Sequence, residues 1–273
     1  MSSVELSSEQ QLSVLYEKKG KVAYITLNRP GVLNAMDLDM HARLLEIWND
    51  FNADENIWVG VISGAGGKAF SVGQDIKELR ERYKAGEPFS SFGSGGRPGW
   101  PRLTERFDIQ KPIIAMVDGY AMGGGFELAL ACDLIIASDN SVFALPEAKL
   151  GLIQGAGGIF RLTRQLPLKK AMGYLLTGRE MSANEAFDFG LVNEVVPAEQ
   201  LAETVESWLE KILLCSPMSV RAIKNVAYQS ASLSVEEAFE QHYHAEQRRL
   251  ESADLVEGVN AFLEKRCPEW EGE

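Results

Sequence analysis

Gly123, Gly124 and Gly125 directly precede Phe126-Glu127-Leu128-Ala129-Leu130-Ala131, a run of good helix formers. Three glycines at a helix start let a ligand approach the backbone closely, and the unpaired N–H groups there point at negative charge. Phosphate, a carboxylate and an oxyanion all fit that description. The spacing is not that of a P-loop, because no Gly-Lys-Ser/Thr follows. Nor is it the dinucleotide fingerprint, which needs GxGxxG directly after a strand. A second glycine element, KAFSVGQDI (68–76), follows the strand-like WVGVISG and offers another backbone N–H where the chain turns. Two such donors from separate loops, aimed at one oxygen, form an oxyanion hole. Each is worth about 2.7–4 kcal/mol of transition-state stabilisation.

Other chemistries find less support. His41 lies in an amphipathic helix, and His242 and His244 share a strongly charged one. No His–Glu–His or Cys–His spacing suggests a metal. A Ser–His–Asp hydrolase needs a histidine in the α/β region, where only His41 stands. Cys132, Cys215 and Cys267 are odd in number, widely spaced and without a CxxC, as expected for reduced thiols of a cytosolic protein. A net charge of −12 argues against a nucleic-acid binder. It leaves room for an anionic ligand held by a few local Lys or Arg. No apolar run reaches the roughly 18 residues of a membrane span, and the polar start MSSVELSSEQQL is not a signal peptide.

The elements that must position the glycines fall into two textures. Over residues 13–150, SVLYEKKG, KVAYITLN, WVGVISG, PIIAMVDG and ACDLIIASD read as strands, being β-branched, apolar and bounded by Gly, Pro, Asn or Asp. Between them, MDLDMHARLLEIWNDFNAD places Leu38, His41/Ala42, Leu45, Trp48 and Phe51 on one helical face. Strands alternating with helices predict an α/β fold. From about residue 165 helices dominate: ANEAFDFG, AEQLAETVESWLEKILLCS, PMSVRAIKNVAYQSA, SVEEAFEQHYHAEQRRLES and Asp254 to Arg266. One apolar face, Val205, Trp208, Leu209 and Ile212, is a candidate for packing on a neighbouring subunit. AGEPFSSFGSGGRPGWP (85–101), with Phe89, Phe92 and Trp100, breaks the pattern and has the length of a lid or binding loop.

The two glycine elements, with LNRPGVLNAMD before them and FALPEAKLGLIQGAGG after, resemble the crotonase (enoyl-CoA hydratase/isomerase) superfamily. The likeness runs from about Val14 to Arg266. Within the superfamily the chain is most similar to hydratases and dehydratases, the carnitinyl-CoA dehydratase type among them. The resemblance implies a repeated β-β-α spiral with two nearly perpendicular sheets over 1–200. A helical C-terminal region over 201–273 would serve trimerisation and part of the coenzyme A pocket. It also implies a cytoplasmic homotrimer, or a hexamer of paired trimers. The substrate would be an acyl-CoA thioester, with coenzyme A as part of the substrate and no other cofactor, metal, nucleic acid or membrane involved.

By the same resemblance, the thioester oxygen sits between the N–H groups of Gln74 and Gly124. Glu127 and Glu147 face the substrate double bond, one handling water and the other the Cα proton. From the residues alone, Glu127 reads equally as a helix-dipole partner and Glu147 as a surface or capping residue. Gly155 matches a position whose N–H holds the attacking water. Val32, Leu33, Ala35, Ser71 and Val72 would line the coenzyme A path, and Lys265 would meet a phosphate. Arg29 reads as a solvated side chain. The chain departs from the pattern at Gln154, where proline is common, and at Ile159-Phe160-Arg161-Leu162, where Thr-Gln-Arg-Leu is usual. Both carboxylates favour hydration. Isomerisation, another lyase reaction or a non-catalytic scaffold of the same fold are the alternatives.

Overall fold

A computed structural model describes residues 12–87, 92–93 and 102–273; Phe89 and Trp100 of the Gly/Ser/Pro-rich stretch lie outside them. The five strand-like runs form β1 (Val14–Lys19), β2 (Val22–Leu27), β3 (Val59–Gly64), β5 (Ile113–Val117) and β7 (Leu134–Ser138). Together with β10 (Glu194–Val196) they make a six-stranded sheet in the order β1-β2-β3-β5-β7-β10. Only β1 and β2 pair antiparallel; the remaining neighbours are parallel. A second sheet, in the order β4-β6-β8-β9, is built from β4 (Ala69–Ser71), β6 (Tyr120–Met122), β8 (Val142–Ala144) and β9 (Met181–Ser182).

The chain reaches this arrangement by repeating one unit. β3 is followed by β4 and α2 (Ile76–Lys84), and β5 by β6 and α3 (Gly124–Ala131). β7 is followed by β8, a 3-10 turn at Pro146–Leu150 and α4 (Gly158–Gln165). Each unit contributes one strand to each sheet, so the ends of β4, β6 and β8 lie side by side. α1 (Leu38–Ala53) joins β2 to β3 and is capped by Asp37, whose side chain accepts from the Met40 N–H at 2.9 Å. Its core face is Met40, Leu44, Ile47 and Phe51, flanked by buried His41 and Trp48; Ala42 is exposed. The expected stripe is therefore rotated by about one position.

α5 (Leu168–Thr177) and α6 (Ala183–Asp188) close the second sheet, and α7 (Leu201–Leu213) and α8 (Pro217–Ser230) begin the C-terminal helices. The apolar face of α7 does not await a neighbouring subunit. Val205 and Leu209, with Trp208 and Ile212, pack on Val22, Val59, Val61, Ile114 and Ile136 of the six-stranded sheet. Parallel strands carry apolar side chains on both faces, and α7 covers the one that the main core leaves open. The stretch expected as one helix at 234–252 is two, α9 (Val235–Glu240) and α10 (His244–Leu250). The Tyr243 hydroxyl donates to the Ala238 carbonyl at 2.9 Å, taking over an acceptor that a continuing helix would have used. α11 (Ala253–Glu264) is last. No helix among the described residues is long and apolar enough to cross a membrane.

Candidate active site

At the end of β4, Gly73 turns the chain with φ +83°, and a Cβ there would lie 2.6 Å from the Gly124 nitrogen. Both facts require glycine. Met36 then bridges this turn: its N–H donates to the Gly73 carbonyl at 2.7 Å, and its carbonyl accepts from the Asp75 N–H at 2.9 Å. In such a parallel bridge the residue opposite, Gln74, points its own N–H the other way. Asp75 caps α2, accepting from Lys77 and Glu78. Arg29 clamps the turn from behind through Asp37, Asp75 and the Ala35 carbonyl. Arg29 is thus a half-buried structural tie, not the solvated side chain its sequence position suggests.

At the end of β6, Gly123 donates to the Ala144 carbonyl at 2.8 Å, and Gly124 is the first residue of α3. First-turn amides of a helix have no intrahelical acceptor. A Cβ built on Gly124 would sit 3.7 Å from the Gln74 nitrogen, so the two amides lie beside one another. At the end of β8 comes Glu147. Its Oε1 is 3.1 Å from where a Cβ of Gly123 would be, and its buried Oε2 makes no hydrogen bond.

Glu127, one turn into α3, is 3 % exposed. Its Oε1 accepts from the Ala156 N–H at 2.9 Å and the Gly158 N–H at 2.7 Å. Burial pushes this carboxyl up to about 7, with Glu147 pushing the same way; the Gly158 amide, the Arg102 cation and the Ala156 amide pull it back. Burial likewise raises Glu147, against donors that include the Gln154 side chain. Gln154 is buried and donates to the Leu145 carbonyl at 3.3 Å, so the residue that departs from the family pattern helps to set Glu147. The two acids therefore share one low-polarity environment and one electrostatic field.

A raised acid pKa has a stability consequence. The native state holds a proton on Glu127 between its ordinary 4.5 and about 7 that the unfolded chain releases. Stability from this group is complete below pH 4.5 and is lost as pH rises through 7. Glu127→Gln removes the loss while its Oε1 still accepts both amides. Chemical denaturation should therefore show the variant gaining about 3 kcal/mol on wild type between pH 4 and pH 8. Parallel curves for the two proteins would contradict the burial-driven shift.

Residues 92–93 reach this acid through one peptide unit. The Gly93 N–H donates to the Gly155 carbonyl at 2.9 Å, and the N–H of that same peptide, on Ala156, binds Glu127. Phe92 packs on Phe160 with ring centroids 5.0 Å apart. Gly155 is thus placed beside the Glu127 anchor.

Of the residues expected on the coenzyme A path, five come together. The Val72 N–H donates to the Leu33 carbonyl at 3.1 Å, and the Ser71 hydroxyl to the Asn34 carbonyl at 2.7 Å. This seats the turn carrying Val32, Leu33 and Ala35 against β4. Ser71 is fully buried and also accepts from the Gly73 N–H, so its hydroxyl is used within the protein. Lys265 stands apart, in the left-handed conformation that ends α11. The sequence reading does not reach Ala156 and Gly158 as carboxylate anchors, nor Arg102 and Thr104 beside them. The GAGG run was the available signal for the first two; nothing in the local pattern marks the others.

The neighbouring amides of Gln74 and Gly124 thus stand near one buried carboxyl, Glu127, and one half-buried carboxyl, Glu147. The enoyl-CoA hydratase/isomerase family matches residues 17–273, and the chain belongs to that family. The carnitinyl-CoA dehydratase of Proteus mirabilis (strain HI4320) is 42% identical over 262 residues, covering 93% of this chain and 96% of its own. That of Escherichia coli (strain K12) is 41% identical over 263 residues, covering 93% and 97%. The solved enoyl-CoA hydratase EchA1 from Mycobacterium marinum has a TM-score of 0.85 at 36% identity, covering 96% of this chain and 99% of that one. The fold is crotonase-like.

Proposed function

We propose that this chain is a hydro-lyase that adds water to, or removes it from, the α,β double bond of an acyl-CoA thioester. The Gln74 and Gly124 amides hold the thioester oxygen and stabilise the enolate that forms as Cβ is attacked. One of Glu127 and Glu147 takes a proton from water while the other delivers one to Cα, and dehydration retraces these steps. Gly155 helps to place the water. The 32–35 turn and residues 71–72 line the coenzyme A path, with Lys265 toward a phosphate. Coenzyme A enters as part of the substrate.

The observation that carries this reading is the meeting of two amides, the buried Glu127 carboxyl and the half-buried Glu147 carboxyl at the adjoining ends of β4, β6 and β8. Incubation with crotonyl-CoA in D2O tests it. The expected product is a 3-hydroxyacyl thioester with one deuteron at Cα. A β,γ-unsaturated product would assign isomerisation to the site instead, and no turnover of any enoyl-CoA would remove the proposal.

The helices of 201–273 support self-association. Phe239, Val256 and Phe262 are exposed on α9 and α11, and we place a trimer contact there. Sedimentation velocity should give a trimer or a hexamer; a monomer at micromolar concentration would overturn that assignment.

A further inference from the structure

Glu127 and Glu147 are held in different ways. Glu127 is gripped at its carboxylate, where Oε1 accepts from the Ala156 and Gly158 amides. The buried Oε2 of Glu147 makes no hydrogen bond among the described residues. Where this second acid stands therefore depends on the backbone that carries it, the 3-10 turn Pro146–Leu150. The Leu152 N–H closes that turn by donating to the Glu147 carbonyl at 3.0 Å.

The turn rests on the corner that ends α5. Gly178 takes the left-handed conformation there, with φ +57°, and its N–H donates to the Tyr174 carbonyl at 2.8 Å. Tyr174 is buried, so the corner is anchored in the core. A Cβ at Gly178 would lie 2.9 Å from the Pro146 Cα and 3.1 Å from the Lys149 Cε. The first of these neighbours is backbone, which cannot swing aside as a side-chain tip can; the turn itself would have to shift. The Lys149 ammonium, at the end of an exposed side chain, donates to the Gly178 carbonyl at 2.8 Å. Pro146 comes just before the acid and Lys149 two residues after it. The corner thus meets the turn on both sides of Glu147.

We infer that Gly178 and Lys149 are positioning residues for Glu147: the α5 corner seats the acid's turn and so fixes where its carboxyl stands beside Gly123. The inference rests on the reading of Glu147 as an acid–base group. Both residues act through the turn, so they bear on the proton-transfer step and leave thioester binding alone.

The test compares Gly178→Ala with Gly190→Ala. Gly190, just past α6, has φ +76°, and a Cβ there meets nothing within 4 Å. The control thus carries the left-handed strain without the collision. For crotonyl-CoA hydration, Gly178→Ala should lower kcat by roughly 10- to 100-fold, the cost of a misplaced group, while Gly190→Ala stays near wild type. KM should be the same in both. Lys149→Met removes only the donor and should lower kcat in the same direction, with Lys149→Arg restoring it. In a Glu147→Gln background Gly178→Ala should cost nothing further, whereas general damage to the protein would lower the rate again. A second full loss in that background, or wild-type kcat in both Gly178→Ala and Lys149→Met, would overturn the inference. Hydrogen exchange at the Leu152 amide reads the turn without turnover, and should quicken in Gly178→Ala and Lys149→Met but not in Gly190→Ala. Quickened exchange in a protein that hydrates no enoyl-CoA would keep the seat and defeat the hydratase reading. Hydration with exchange and kcat unchanged in the variants would do the reverse.

Discussion

Glu127→Gln and Glu147→Gln should each lower hydration turnover by about 10²–10⁴-fold, the range that one positioned acid–base group supplies. Neither change need disturb the fold. A glutamine at 127 still offers Oε1 to the Ala156 and Gly158 amides that hold the glutamate now. The Gln74 and Gly124 amides are untouched, so KM for the thioester should move little. The pH profile gives a sharper mark. The Glu127 carboxyl, pushed up to about 7 by burial, should set a limb of the wild-type pH–rate profile, and that limb should vanish from whatever rate remains in Glu127→Gln. The losses should not add in the double variant, because the proposed mechanism puts the two acids in one proton-transfer sequence. Steady-state rates within threefold of wild type for either single variant would mean that these carboxyls do not carry the protons.

Gly124→Pro should cost about 10²–10³-fold in kcat by removing one amide donor. Gly124 is the first residue of α3, where proline's missing N–H and fixed φ suit a helix. The residue before it, Gly123, has no side chain to clash with the ring. Gly124→Ala is the companion variant. It keeps the N–H and brings a methyl to 3.4 Å from Met36 Cε, a tight but ordinary contact. Turnover of the alanine form close to wild type and collapse of the proline form, at matched melting temperatures, would isolate the amide. Comparable rates in both would exclude Gly124 as a donor.

Five strands of the large sheet were legible because they are five or six residues long, as in Val59–Gly64 and Ile113–Val117, whereas its sixth, Glu194–Val196, has three residues and was not. The second sheet was not. Ala69–Ser71, Tyr120–Met122 and Val142–Ala144 have three residues each, too few to show a period. Yet the site stands at the ends of these short strands, and only the glycines and acids that follow them marked it. The α7 face was visible as apolar but not its destination, since Val205 and Leu209 fit a sheet or a partner equally well. Arg29 shows the same limit. Its ties to Asp37 and Asp75 are set by the fold of the turn, and spacing of 8 and 46 residues carries no local signal.

The amide linking Gly155 to Ala156 is gripped at both ends, by residue 93 on its oxygen and by Glu127 on its hydrogen. Electron density drawn toward the oxygen makes the hydrogen more acidic, so each grip tightens the other. The proton affinity of Glu127 is therefore not a fixed property of its pocket. The hydrogen bond from residue 93 to the peptide oxygen lowers it, so a contact made two bonds away from the acid helps to set the acid's strength.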